Sequence, residues 1–439
     1  MMRDDEISLS AFGAGTLPTL PHGSEGTSET ERGEVSHPSE PRNNDGAVAH
    51  QLSPKSWTRQ SRWRKHVSLF RNTQMRHRGA IAAALGVSAV LALGACSTTA
   101  ASPGPSDGAA TAGGSTDNLV LVQAVRSLSN PYHANWVAGG SLFADSVGLK
   151  QVVLSDDGDS QKQLSQIKSL LAGGKKIILN VDPNTSSDTQ AIVRAVSDAG
   201  GYVVTQWNKP DSLHPWDIGD HWVAHISFDG NVSGHDIAKV LFDKMGGQGG
   251  IIALQGILDN VSATQRFSGL QKALAENPGI ELLDQQTAGW DRNTGFQVTQ
   301  TLLTKWGDKV KGVWAANDNM ALGALEALKA AGLEGKVPIV GVDAVPEAVQ
   351  AVQDSATTGY LATVSSDAFW QGGAAISLAY QAATGKFDVA KAPHDQREFF
   401  GTQYLVTKDN VANFLKTPTL ADLQADFSNP FARSTGPIK

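Results

Sequence analysis

From Leu119 onward the chain alternates short, continuous apolar runs with stretches whose apolar residues recur at helical spacing. Leu119-Val120-Leu121-Val122 predicts a buried strand; Trp136, Gly140, Phe143 and Val147 then mark one face of a helix that stops at Gly148. Strands at Gln151–Leu154, Lys176–Leu179 and Tyr202–Thr205 follow, with helices between them carrying Leu164, Ile167 and Leu171, then Ile192, Val193 and Val196. A second cycle sets strand runs at Gly250–Leu254, Gly312–Ala315 and Pro338–Val342 among helices marked by Phe267, Leu270 and Leu274, by Phe296 and Leu303, and by Met320, Ala324 and Leu328. Continuous apolar strands alternating with amphipathic helices signify parallel sheet covered on both faces. The predicted fold class is α/β, with two doubly wound parallel-sheet lobes. Ligands in such sheets sit beyond the carboxyl ends of the strands, at the point where strand order reverses. Two such ends facing one another make a cleft.

The chain ahead of this body has a different character. Arg76, His77 and Arg78 precede the apolar run Ala80–Leu93, and small residues lead into Cys96, the one cysteine in the sequence. That is the layout of a secretory signal peptide, predicted over residues 75–95. Its ending, Leu93-Gly94-Ala95-Cys96, resembles the bacterial lipobox, so Cys96 is expected to be lipidated and to anchor the protein at the extracytoplasmic face of the membrane. The apolar run falls short of the roughly 20 residues a membrane span needs, whereas acyl chains anchor at about 0.8 kcal/mol per buried methylene. Residues 1–74 are polar and lack hydrophobic periodicity, which predicts a disordered extension, or a true start at Met75. Residues 96–117 carry the lipidated cysteine and a tether of Ser, Thr, Ala, Gly and Pro, spanning on the order of 25 Å by flexible-chain scaling. With one cysteine there is no disulfide framework. The net charge of -7 leaves no basic footprint for nucleic acid.

Four stretches of the body then resemble one family in the correct order. Asn130-Pro131-Tyr132 with Trp136 and Gly139, Ser262–Gly269 with Arg266, Trp314–Ala324 with Asn317, and Ile339–Asp343 look like the ribose/galactose type of bacterial periplasmic sugar-binding proteins, the solute receptors of ABC importers. Leu405–Val411 resembles that family's ending. The resemblance implies the type I periplasmic-binding-protein fold: a first lobe over 118–229, a second over 230–362, a crossover back over 363–400, and a hinge strand with the C-terminal segment over 401–439. It implies a three-segment hinge near Ser227–Asn231, Thr363–Ser366 and Gly401–Leu405. It further implies a monomer that binds a monosaccharide or polyol by lobe closure and delivers it to a membrane ABC permease; the alternative is a sensing module that presents its closed form to a membrane kinase.

A sugar offers ring hydroxyls and weakly apolar faces, so its site needs planar aromatics and paired polar groups. By the resemblance, Asn130, Tyr132 and His133 from the first lobe and Arg266, Trp290, Asn317 and Asp343 from the second are the candidate ligand contacts. Asp318 is expected to cap the helix after its strand while Asn317 faces ligand. Two departures stand out. Trp207-Asn208 replaces the family's Asp-Arg after the fourth strand, which removes that charge pair and adds a stacking surface; Ser366 stands where a glutamine is common. The segment Lys209–Trp222 is expected to close over the cleft. His214, Asp217, Asp220, His221 and His225 crowd together in sequence but lack metal-ligand spacing. No phosphate loop or nucleophile elbow is present, so neither a cofactor nor an enzyme activity is expected.

Overall fold

The aliphatic runs do form parallel strands, buried between helices on both faces of a sheet, except the edge strand at Gln151–Ser155, which is half-buried throughout. A computed structural model describes residues 119–438; the extension, signal peptide and tether expected from the sequence, and Cys96, lie outside the described residues. The first sheet is built from β1 (Leu119–Val125), β2 (Gln151–Ser155), β3 (Lys176–Val181), β4 (Tyr202–Gln206) and β5 (Trp222–Ser227), connected by α1 (Pro131–Ser146), α2 (Ser160–Ala172), α3 (Thr189–Asp198) and the short α4 (Pro215–Ile218). The second repeats the scheme. After α5 (Gly230–Lys244) come β6 (Gly249–Gln255), α6 (Val261–Glu276), β7 (Ile280–Thr287), α7 (Arg292–Trp306), β8 (Val310–Ala315) and α8 (Asp318–Ala330). They are followed by β9 (Ile339–Val340), α9 (Pro346–Gln353), α10 (Ser355–Thr358) and β10 (Tyr360–Ser365).

The chain then returns through α11 (Ala368–Ala383), α12 (His394–Arg397) and β11 (Glu398–Gly401), crosses again to β12 (Tyr404–Thr407), and ends with α13 (Leu420–Ser428) and β13 (Ser434–Pro437). Strand order is β13-β11-β5-β4-β3-β1-β2 in one sheet and β12-β10-β9-β8-β6-β7 in the other. Each order reverses once near its first strand, between β1 and β3 and between β6 and β8. Those are the two places where a ligand crevice opens.

Three passages join the lobes: β5 to α5, β10 to α11, and β11 to β12. A fourth passage runs through Leu415–Thr419, because β12 pairs in the second sheet while α13 packs on α11 and α1 of the first lobe. Beneath the first-lobe site, Gln123, Asn180 and Gln206 form a buried polar row. Asn180 Nδ2 donates to Gln123 Oε1 at 2.9 Å, and Gln206 Nε2 donates to Asn180 Oδ1 at 2.8 Å. The row also donates to the carbonyls of Gln371 and Gly372, so helix α11 is fixed by its backbone. Among the described residues no helix is long and apolar enough to cross a membrane.

Candidate functional site

Arg126 stands one residue past β1 and Asp182 one residue past β3, on either side of the first reversal point. Around them Asn130, Tyr132, His133, Trp207 and Asn208 wall one half of a cavity; Asn260, Ser262, Arg266, Trp290, Asn317 and Asp343 wall the other. The non-atom space between these side chains, open solvent included, is about 380 Å³. Its wall is buried on every side.

In the first lobe Asn130 caps α1, its Oδ1 accepting from Tyr132 N at 3.0 Å. The Tyr132 hydroxyl donates to Gln371 Oε1 and accepts from Trp207 Nε1, both at 2.6 Å. Both functions of that hydroxyl are used within the protein, and burial raises its pKa well above the ordinary phenol value. His133 Nε2 lies 3.2 Å from Asp182 Oδ2, and Asn208 Nδ2 donates to Asp182 Oδ1 at 2.9 Å. Arg126 Nη2 donates to the carbonyl of Asn184 at 3.0 Å. Three polar atoms here are buried without a partner among the described residues: Arg126 Nη1, His133 Nδ1 and Asn208 Oδ1.

The second lobe contributes Arg266 from the second turn of α6. Its Nη1 donates to Ala316 O at 2.7 Å and lies 3.7 Å from Asp343 Oδ1, while its Nε is buried without a partner among the described residues. The guanidinium lies 4.9 Å from the ring of Trp207 and 5.6 Å from that of Trp290, so it touches both lobes. Both tryptophans hold left-handed backbone, with φ of 63° and 67°, a conformation that costs a bulky residue on the order of 1–3 kcal/mol. Each is backed on one side. Phe228 packs tilted against Trp207, with ring centroids 4.9 Å apart; Trp290 lies across Gly256, where a Cβ would come within 2.0 Å of the indole. Asp343, at φ 123°, has its carboxyl pushed up to about 8 by burial, against the pull of Arg266.

Several expectations need correction. Ser366 does not line the cavity: its hydroxyl accepts from Gln371 Nε2 at 2.9 Å, so it orients the glutamine that holds Tyr132. Capping at α8 is reversed, since Asn317 Oδ1 accepts from Met320 N at 3.0 Å while still lining the cavity. Asp318 is buried and accepts from Tyr360, Thr363 and Val345 N. The first lobe does carry an acid and a base at the cavity, supplied by Asp182 and Arg126 rather than from the end of β4. The segment after Lys209 does not cover the cleft. Lys209 Nζ meets Glu398 at 2.8 Å, and Trp216 stacks on His394 at 3.7 Å, which ties the segment to α12 and β11. The histidines there serve the first lobe: His225 meets Thr205, His221 the carbonyl of Gly201, and His214 the carboxylate of Glu398.

Arg126, Asp182, Asn260 and Ser262 were missed as candidates. The available signal for the first two was position, directly after the strands that flank the reversal.

Residues 122–387 match the family described as periplasmic binding protein domain. The ribose import binding protein of Salmonella typhimurium is 34% identical over 283 residues, covering 64% of this chain and 89% of that protein. The xylitol-binding protein of Mycolicibacterium smegmatis is 31% identical over 215 residues, or 49% of this chain and 59% of the relative. Among solved structures, a twin-arginine translocation pathway signal protein from Burkholderia phytofirmans is 45% identical, with a TM-score of 0.70 over 73% of this chain and 98% of that one. A solute-binding protein of an ABC transporter from Actinobacillus succinogenes, with bound D-allose, is 25% identical, with a TM-score of 0.58 over 67% of this chain and 99% of its own.

Proposed function

Because this chain belongs to the periplasmic binding protein family, whose members act outside the cytoplasm, we propose that it is a sugar receptor of an ABC importer. It captures a neutral monosaccharide or polyol by closing its lobes and delivers it to a membrane permease. It works as a monomer held to the membrane through lipid on Cys96. Relatives named for ribose and xylitol support the ligand class.

The observation that carries the reading is the set of buried polar atoms left unpartnered around an aromatic-walled cavity. Arg126 Nη1 and Arg266 Nε are donors, and Asn208 Oδ1 is an acceptor. His133, with Nε2 turned to Asp182, offers Nδ1 as a second acceptor when neutral. A hydroxyl both donates and accepts, so a polyol satisfies both kinds. An amino acid needs separate anion and cation sites, whereas donors and acceptors are interleaved here within the first lobe. Binding matters because an unsatisfied buried polar group costs about 1–3 kcal/mol.

A thermal-shift panel of pentoses, hexoses, deoxy sugars, polyols and amino acids tests the ligand class. A ligand at 100 times its Kd adds about 2.7 kcal/mol of stability; a shift confined to an amino acid would overturn the proposal. For the anchor, Cys96→Ser should move the protein from the membrane fraction to the soluble one, and retention at the wild-type level contradicts lipidation.

A further inference from the structure

Asn260 occupies the N-cap position of α6, yet its side chain does not cap that helix. The amide is committed elsewhere. Its Oδ1 accepts from Trp290 Nε1 at 2.7 Å, and its Nδ2 donates to the carbonyl of Asn184, on the opposite lobe, at 2.9 Å. An indole N–H can only donate and a carbonyl can only accept, so one orientation of the amide serves both contacts. The same Asn184 carbonyl also accepts from Arg126 Nη2. One backbone oxygen thus ties a first-lobe cavity residue to the amide that holds the second-lobe aromatic. Beside it the lips meet directly: Ser186 N donates to Asp259 O at 2.9 Å, and Ser187 Oγ to Asp259 Oδ2 at 2.8 Å.

We propose that Asn260 is a positioning residue that couples the seating of Trp290 to the locking of the lobes. It lines the cavity, but its amide is already engaged, so it acts on ligand through Trp290 and through the Asn184 carbonyl. When Trp290 rests across Gly256, Asn260 is turned to reach the other lobe; when the indole is displaced, the amide loses its anchor and the interlobe bond weakens. Ligand packed against Trp290 therefore slows reopening. The inference rests on the sugar-receptor reading for its ligand.

Two substitutions separate the contacts. Asn260→Asp keeps an acceptor for Trp290 but removes the donor to Asn184; Asn260→Ala removes both. The full chain is mixed with D-ribose, D-allose and xylitol in stopped flow, following tryptophan fluorescence, and acrylamide quenching is measured without sugar in parallel. Asn260→Asp should raise the dissociation rate about tenfold, the scale of one hydrogen bond, with association within about twofold because encounter precedes locking. Without sugar, Asn260→Ala should be more quenchable than wild type and Asn260→Asp should not, a difference that disappears in a Trp290→Phe background. An unchanged dissociation rate in Asn260→Asp, or equal quenching in the two variants, overturns the coupling. A wild type silent to all three sugars counts against the ligand class, and quenching then decides the coupling alone.

Discussion

At Asp343 three demands meet: left-handed backbone at φ 123°, burial, and a guanidinium 3.7 Å away. Burial prevails, and the carboxyl keeps its proton up to about 8, with Asp318 nearby adding to the upward push. An unfolded aspartate ionises near pH ~3.9. Between about pH 4 and about pH 8 the folded form therefore binds more protons than the unfolded one, and this residue's contribution to stability falls as pH rises through that window. An asparagine in its place would not titrate, so the melting temperature of Asp343→Asn relative to wild type should climb steadily across it. A difference that stays constant with pH, in calorimetric scans without sugar, contradicts the assignment. Asp343 was legible in the sequence because it closes an apolar strand run with a polar residue, as Asn317 does. Asp182 follows the same rule after β3, but the Pro-Asn-Thr-Ser behind it reads as an ordinary loop. Ser366 misled for a local reason: Asp367 at φ 53° turns the chain, and the serine hydroxyl faces Gln371.

Strands and helices were legible where both faces are covered, and less so at the edges. β7 is an edge strand, and Glu281, Asp284, Gln285 and Gln286 interrupt it, so no continuous apolar run announces it. β13, Ser-Thr-Gly-Pro, has no hydrophobic signal and exists through antiparallel pairing with β11 at the other sheet's edge. How closely two helices approach is likewise invisible in periodicity. α5 and α6 touch backbone to backbone at Gly234 and Gly269: a Cβ on Gly234 would lie 2.0 Å from the carbonyl oxygen of Arg266. That oxygen belongs to a helix backbone and has little room to yield. Gly234→Ala should push α6 outward, costing about 1–3 kcal/mol of stability by overpacking, and should weaken sugar binding because Arg266 travels with its helix. Denaturant unfolding and calorimetry measure the two effects. Wild-type values in both would mean that this contact does not set the position of Arg266.

Across the whole molecule, the arrangement joins a hinge on one side of the cleft to touching lips on the other. In the closing mechanism proposed above, ligand can shift the balance of open and closed forms only by its difference in affinity for them, and a cavity walled by both lobes is what would supply that difference. The lips offer a direct handle on the equilibrium. Ser186 N donates to Asp259 O at 2.9 Å and Ser187 Oγ to Asp259 Oδ2 at 2.8 Å, so the two segments meet at their backbones, and cysteines at 187 and 259 would face each other across the mouth, the arrangement a disulfide needs. In a chain carrying Cys96→Ser, so that no other thiol competes, Ser187→Cys with Asp259→Cys should form that bridge under oxidation. Oxidised protein loaded with sugar should exchange it at least about a hundredfold more slowly than reduced protein, since a covalent lock removes the open population through which ligand leaves. Oxidised protein without sugar should scatter as compactly as liganded wild type, and reduction should restore both exchange and expansion. If the bridged protein exchanged labelled sugar as fast as the reduced form, ligand would be leaving by a route other than the lips, and the closing motion proposed for this receptor would be wrong.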